Sequence, residues 1–290
     1  MSWHVSLLLF YVFSVSKALG QRRYLRKTGL PSSVVASMNY LLGLWPLAIV
    51  VGLLLPHHVT WSWWLVFLLV FEGFAIGLYN KLSFRAIKRL PISHFQTLNQ
   101  SFNIFVIFGG WILLSETLST TQLIGVSFII AAAVLSAFAA KARAGGRKVQ
   151  PGTTRLVIIA AVILSMGLIA EKAALGHMDI GAYFIFGIGS QAIFATLIAL
   201  KDVNKKVLVT VSHSDIRNNI VVGMVSGIAG FLYLYTVRAA DNISLIVSLN
   251  SFVLPLTALA SYWLLHERED QKRLWGSIAL GVIGLCITVI

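Results

Sequence analysis

Apolar runs about the length of a bilayer crossing recur along the whole chain, separated by short polar spacers. Ten stand out: Trp3–Leu19, Ser32–Leu55, Trp61–Asn80, Pro91–Leu114, Thr121–Ala140, Leu156–Ala170, Gly181–Leu200, Asn219–Val237, Ile243–Leu265 and Leu274–Ile290. A helix needs about 20 predominantly apolar residues, with a range of about 17–25, to cross the hydrocarbon core. Several spacers carry turn residues, among them Gly29, Pro56, Gly145-Gly146 and Pro151-Gly152. The pattern predicts an all-α integral membrane protein with ten transmembrane helices. Composition agrees, since 58% of residues are hydrophobic and 11% charged, against about 25% charged in a soluble domain.

The widest spacer, Lys141–Arg155, divides the ten segments into two sets of five. One motif occurs once in each set. Leu113–Gly125 reads LLSETLSTTQLIG and Leu264–Gly276 reads LLHEREDQKRLWG, at an ungapped offset of 151 (264 − 113). Each has a Glu (Glu116, Glu267) at the end of an apolar run and a Gly (Gly125, Gly276) inside the next. The same offset pairs Asn99 with Asn250. The reading is a tandem duplication: residues 1–141 as a first five-helix repeat, 142–155 as a basic inter-repeat loop and 156–290 as a second repeat. Five is odd, so the second copy crosses the membrane in the opposite sense, and the two are inverted repeats about an axis in the membrane plane.

Net charge is +13. In a soluble protein this would point to nucleic acid, but no basic face with interleaved aromatics exists here, and a nucleic-acid partner is not expected. Of 23 Lys and Arg, three (Lys17, Lys172 and Arg238) lie elsewhere, which leaves 20 in the spacers after the first, third, fifth, seventh and ninth segments. Excess positive charge stays cytoplasmic. The count therefore places the basic loops, including 21–29 and 141–155, in the cytoplasm and both termini outside; it does not choose the membrane, for which the cell (inner) membrane of an integral multi-pass protein is the expectation. No Lys or Arg precedes the first apolar run as in a signal peptide, so that run is expected to be a retained helix. The lone Cys286 offers no disulfide and no thiolate cluster, and no metal or cofactor is expected.

LLSETLSTTQLIGVSFIIAAAVL and LLHEREDQKRLWGSIALGVIGL resemble the EamA repeats of the drug/metabolite transporter superfamily, as do FRAIKRLPIS and VRAADNISL, each linking two segments within a half. The resemblance covers nearly all of the chain. It implies a transporter fold but no particular substrate, because that superfamily carries amino acids, drugs, nucleotide sugars and other metabolites. It also implies cytoplasmic termini, against the charge count, which is the expectation adopted here.

Candidate site residues follow from polar groups at bilayer depth. Glu72 lies inside Trp61–Asn80, where a carboxylate is costly unless it faces a cavity or a partner. At helical spacing Glu72, Ile76, Tyr79 and Ser83 share one face, with Asn80 on its edge. A carboxyl that gains and loses a proton there could couple substrate movement to a proton gradient; a structural Glu bonded to a neighbouring helix is the alternative. The fourth segment carries Gln96, Asn99, Gln100 and Asn103 on one stripe, which reads as the lining of a wet cavity or as interhelical hydrogen bonding. The ninth presents Ser248 and Ser251 with Pro255, whose missing N–H should break a backbone bond and kink the helix. Lys17 and Lys172 end the two shortest segments in corresponding places, where short segments point to a transporter site, although lysines there also snorkel to the headgroups. Asn250 projects away from the serines, so its match to Asn99 reads as ancestral.

These features predict a secondary transporter, a permease or exporter that moves a small metabolite or drug-like solute by alternating access, with protons as a candidate coupling ion. No Walker-type loop occurs, which argues against ATP-driven transport by this chain alone. An intramembrane enzyme would need a nucleophile–base pair, a metal cluster or paired acids; with Glu72 the one clear acid at depth, no enzyme is expected. A lipid-carrier flippase and a non-transporting assembly subunit are the alternatives. Partners are a small-molecule substrate and the lipid bilayer, and both a monomer and a homodimer fit.

Overall fold

Inside hydrocarbon a backbone must satisfy its own N–H and C=O groups, so apolar runs of this length fold as helices. The computed structural model describes residues 3–90, 92–99, 101–115, 119–142, 151–239, 246, 249–250, 252–264 and 271–289. The helices are α1 (Trp3–Leu25), α2 (Ser32–Asn39), a π-helical turn (Tyr40–Leu44), α3 (Trp45–Leu54), α4 (Trp63–Arg89), α5 (Ile92–Asn99), α6 (Phe102–Leu114), α7 (Thr120–Ala142), α8 (Pro151–Leu175), α9 (Ile180–Leu200), α10 (Lys205–Thr210), α11 (His213–Ala239), α12 (Val253–Leu264) and α13 (Gln271–Val289). Among the described residues there is no strand, only an isolated antiparallel bridge between Val59 and Met178. The protein is all-α, and among the described residues five helices are long and apolar enough to cross a membrane: Ser32–Leu54, Trp63–Arg89, Gly152–Leu175, Ile180–Leu200 and His213–Ala239.

Several expected boundaries move, for local reasons. The first and sixth segments are not short: α1 has 23 residues and α8 has 25. Helix α1 runs through Gln21–Leu25, and α4 runs through Lys81–Arg89. Lys and Arg are good helix formers, and both stretches sit at helix C-termini, where cations suit the dipole. The fourth segment is two helices rather than one. At the junction the Ser101 amide and hydroxyl both donate to the Leu98 carbonyl, at 3.3 and 2.9 Å. The ninth turns in the same way, with the Phe252 amide donating to the Leu249 carbonyl at 3.0 Å. Pro255 therefore falls in the first turn of α12, where a missing N–H costs little, and is not a mid-helix kink. Residues 143–150 of the basic spacer, Glu116 and Glu267 lie outside the described residues.

The connections gather at two ends. At one end the spacers after the second, sixth and eighth segments meet. Thr60 and Asp179 donate backbone bonds to His177 and His58, both at 2.9 Å, and Arg238 pairs with Asp179 at 2.8 Å. At the other end lie the spacers after the first, third and seventh segments, which are basic. There Tyr24 donates to Asp215 at 3.0 Å and accepts from Asn219 at 2.9 Å. The Arg22 guanidinium donates to the Ile87 carbonyl and the Lys88 ammonium to the Leu30 carbonyl. The Ser33 hydroxyl, 2.5 Å away, and Lys81, 3.1 Å away, hold the Asp202 carboxyl below its ordinary pKa.

Helix α1 packs on α11 and α12, α4 on α8 and α9, α3 on α9, α6 on α8, and α7 on α13. The N-terminal helix is thus built into the bundle, and its Tyr11 hydroxyl donates to the Leu249 carbonyl at 2.9 Å. Leu8, Leu53, Phe67, Phe108, Ile112 and Trp263 stand exposed on the outside. An apolar outer surface of this kind suits acyl chains and is disfavoured in water. Two buried clusters fill the inside. A large one runs through Tyr11, Leu68, Ile76, Tyr183, Phe184 and Leu249. A smaller one at the basic end holds Ala18, Tyr24, Leu30, Phe84, Ile87 and Phe95.

Candidate functional site

Where the two clusters meet, the bundle leaves a cavity of about 280 Å³. Its wall draws polar side chains from six of the helices and the π turn: Lys17 and Gln21 from α1, Tyr40 from the turn, Tyr79, Asn80 and Ser83 from α4, Gln96 and Asn99 from α5, Glu171 from α8, Gln191 from α9 and Ser226 from α11. Asn250 lines it too, so the ninth segment contributes the residue that helical projection set aside.

The expected residues divide accordingly. Tyr79, Asn80, Gln96, Asn99 and Lys17 line the cavity. Asn103 is buried but is not part of the lining, because the chain turns at Ser101 and the four-amide stripe does not continue as one helix. Lys172 is also outside the lining; its ammonium donates to the Val237 carbonyl at 3.2 Å. The two lysines therefore do different things. Gln100, Ser248 and Ser251 lie outside the described residues.

Glu72 is fully buried behind the wall and does not line the cavity itself. Its Oε1 accepts from the Gln191 amide at 2.5 Å and from the Tyr183 hydroxyl. Tyr183 also lies 3.0 Å from Glu171 Oε2 and accepts from Gln191 Nε2 at 3.2 Å. From Gln191 the network returns to the cavity. Tyr40 donates to Gln191 Oε1 at 3.0 Å, and Asn80 Nδ2 donates to Tyr40 at 3.0 Å. A continuous polar chain thus joins Asn80, Tyr40, Gln191, Glu72, Tyr183 and Glu171.

Tyr183 and Gln191 are not among the residues expected from the sequence. Glu171 stands beside Lys172 in the sequence, but adjacent helical residues point apart, and its carboxyl turns to Tyr183. The expectation of a single acid at depth is corrected: Glu72 and Glu171 are 0% and 6% exposed and share one tyrosine. The available signal was the density of polar groups in otherwise apolar helices, Glu171 near the end of α8 and Gln191 in the middle of α9.

No family model matches this chain, and no curated protein does. It is similar to solved structures. One crystal structure, named only as that of a protein, superposes with a TM-score of 0.68 over 97% of this chain and 98% of its own, at 16% identity. Likeness at that identity concerns the fold alone.

Proposed function

We propose that this chain is a secondary transporter of a small polar solute, built as two inverted five-helix repeats of the EamA kind, in which Glu72 handles a coupling proton. The observation that carries the reading is the cavity between the clusters, walled by polar side chains from both halves of the chain. About 280 Å³ is just under the usual size of ligand pockets, which run from about 300 to 1,000 Å³, and suits a small metabolite better than a bulky drug.

Two further observations support the repeat. Exchanging first-half segments for their second-half counterparts leaves the main packing pattern in place. First-on-eighth becomes sixth-on-third, first-on-ninth becomes sixth-on-fourth, and second-on-eighth becomes seventh-on-third, while fifth-on-tenth and second-on-seventh map onto themselves. The turns at Ser101 and Phe252 also lie 151 residues apart (252 − 101), the offset of the repeated motif. Paired broken segments are where a transporter places its site.

The test is uptake into proteoliposomes of a panel of small polar metabolites under an imposed pH gradient. Accumulation of none of them would overturn the reading. The panel's best substrate then serves a second measurement. A Cβ at Gly230 would meet nothing within 4 Å, and Gly230 borders the cavity. Gly230→Leu is therefore expected to fill the cavity without disturbing packing. Uptake should fall about tenfold or more, equivalent to about 1.4 kcal/mol of binding, while the size-exclusion profile stays that of wild type.

Orientation is tested separately. We place the basic end in the cytoplasm. Lys201 is exposed at that end, and Cys286 is the single native thiol and is also exposed. In a Cys286→Ser background, Lys201→Cys should react with an impermeant maleimide in inside-out vesicles and stay unlabelled in intact cells. Labelling of intact cells would reverse the topology.

A further inference from the structure

We infer that Glu171 and Glu72 form one proton-binding unit bridged by Tyr183, holding a single proton between the two carboxyls, with Glu171 as the member that exchanges it with the cavity. The argument is a count of protons. The Tyr183 hydroxyl has one proton to donate, yet carboxylate oxygens of both Glu72 and Glu171 lie within hydrogen-bond distance of it. With both acids ionised, one of these O···O contacts would set lone pairs against lone pairs, and two buried negative charges would share one tyrosine. Among the described residues no cation lies within ion-pair distance of either carboxyl. One added proton removes the conflict. Glu171 then donates through Oε2 to the Tyr183 oxygen, Tyr183 donates to Glu72 Oε1, and Gln191 donates to the same Oε1. The second oxygens, Glu72 Oε2 and Glu171 Oε1, are buried without a hydrogen-bond partner, so a second cationic or donor group does not compensate the pair.

Position assigns the two roles. Glu171 lines the cavity and Glu72 does not, so a proton arriving in the cavity meets Glu171 first. Transfer inward breaks the Glu171 O–H bond and forms a new O–H bond on the Tyr183 oxygen, as the original Tyr183 proton moves to Glu72 Oε1. The charge leaves Glu72 and appears on Glu171, and no other reactant is needed. The other titratable groups on the cavity wall are the phenols Tyr40, Tyr79 and Tyr233 and the ammonium of Lys17. Tyr40 from the π turn donates to Gln191, Tyr79 on α4 faces Asn99, Lys17 on α1 lines the cavity, and Lys172 on α8 is held by the Val237 carbonyl. Tyr183 is the one titratable residue on α9, and α6 carries none.

What the proton does rests on the transporter reading; that it is there does not. The test is infrared spectroscopy of the purified protein in detergent at neutral pH, reading the carbonyl stretch of protonated carboxyls and its shift in D₂O. Wild type should show one such carboxyl, and both Glu72→Gln and Glu171→Gln should lose the whole band, because a neutral amide at either position releases the other acid to ionise. Two bands, each removed by one variant, would mean independent acids and overturn the inference, as would a band lost in only one variant or no band at all. If a variant fails to fold, wild type alone decides. Its neutral-pH intensity should be about one-tenth of that reached in acid, where all 10 side-chain carboxyls are protonated, and zero or twice that value overturns the pair. The expected bands without any pH-driven uptake would instead sink the transporter reading.

Discussion

Glu72→Gln is expected to abolish pH-driven accumulation of substrate in proteoliposomes, with a loss of at least about a hundredfold, while substrate exchange at equal pH on both sides survives. The split follows from position. Glu72 is buried behind the cavity wall rather than in it, so its loss removes a titrating group without removing a binding contact. A factor of about one hundred corresponds to about 2.7 kcal/mol of coupling. The amide can present its oxygen where Oε1 lies, so Gln191 and Tyr183 keep an acceptor. Its NH₂ then occupies the place of Oε2, which has no partner, and an unsatisfied buried donor costs about 1–3 kcal/mol. Glu72→Ala would cost more, since two donors lose their acceptor together. Accumulation by Glu72→Gln equal to wild type would refute proton coupling through this residue, and loss of exchange along with accumulation would make Glu72 a binding group.

Gly223→Leu is expected to be the most destabilising single change in the bundle, at about 3 kcal/mol or more. A Cβ at Gly223 would lie 2.4 Å from the Asn39 carbonyl oxygen and 2.7 Å from Gly43 Cα. One at Gly43 would lie 2.6 Å from Gly223 Cα and 2.7 Å from the Ile220 carbonyl oxygen. Backbone meets backbone here, so nothing can rotate aside. The close approach seats α11 against the π turn, and the π turn carries Tyr40 into the polar network. Small residues allow such crossings, which in a membrane rest on packing rather than on the hydrophobic effect. The variant should lower the thermal unfolding midpoint in detergent by several degrees or fail to yield monodisperse protein. Gly230→Leu, on the same helix with open space beside it, is the matched control. Equal midpoints for the two would refute the close-contact argument.

Much of this protein was legible in its residues. Ten apolar runs in 290 residues imply a helical membrane protein, because hydrocarbon leaves an exposed backbone few other options. Helical spacing also grouped Tyr79, Asn80 and Ser83 on one side of α4, and all three line the cavity. Periodicity works there because α4 is one unbroken helix. It failed along the fourth segment, where the turn at Ser101 separates Asn103 from Asn99 and Gln96. Asn250, which the projection set apart from the serines, lines the cavity. A projection that assumes one continuous helix loses phase wherever the helix breaks.

The equivalence of Lys17 and Lys172 failed for another reason. A residue's place along its own helix says nothing about the neighbour across from it. Lys17 looks into a cavity, while Lys172 meets the Val237 carbonyl. The carboxyl network is the clearest instance. Glu72, Tyr183 and Gln191 are separated by more than 100 residues between the first and the other two, and Glu171 comes from a further helix. Sequence by itself determined the solvent this chain folds in and the faces its polar groups occupy, because those depend on local hydrophobicity and helical period. Only the tertiary structure decided which polar groups meet, because a hydrogen bond between helices depends on their crossing, and the crossing is set by contacts such as Gly43 against Gly223 that no local pattern records.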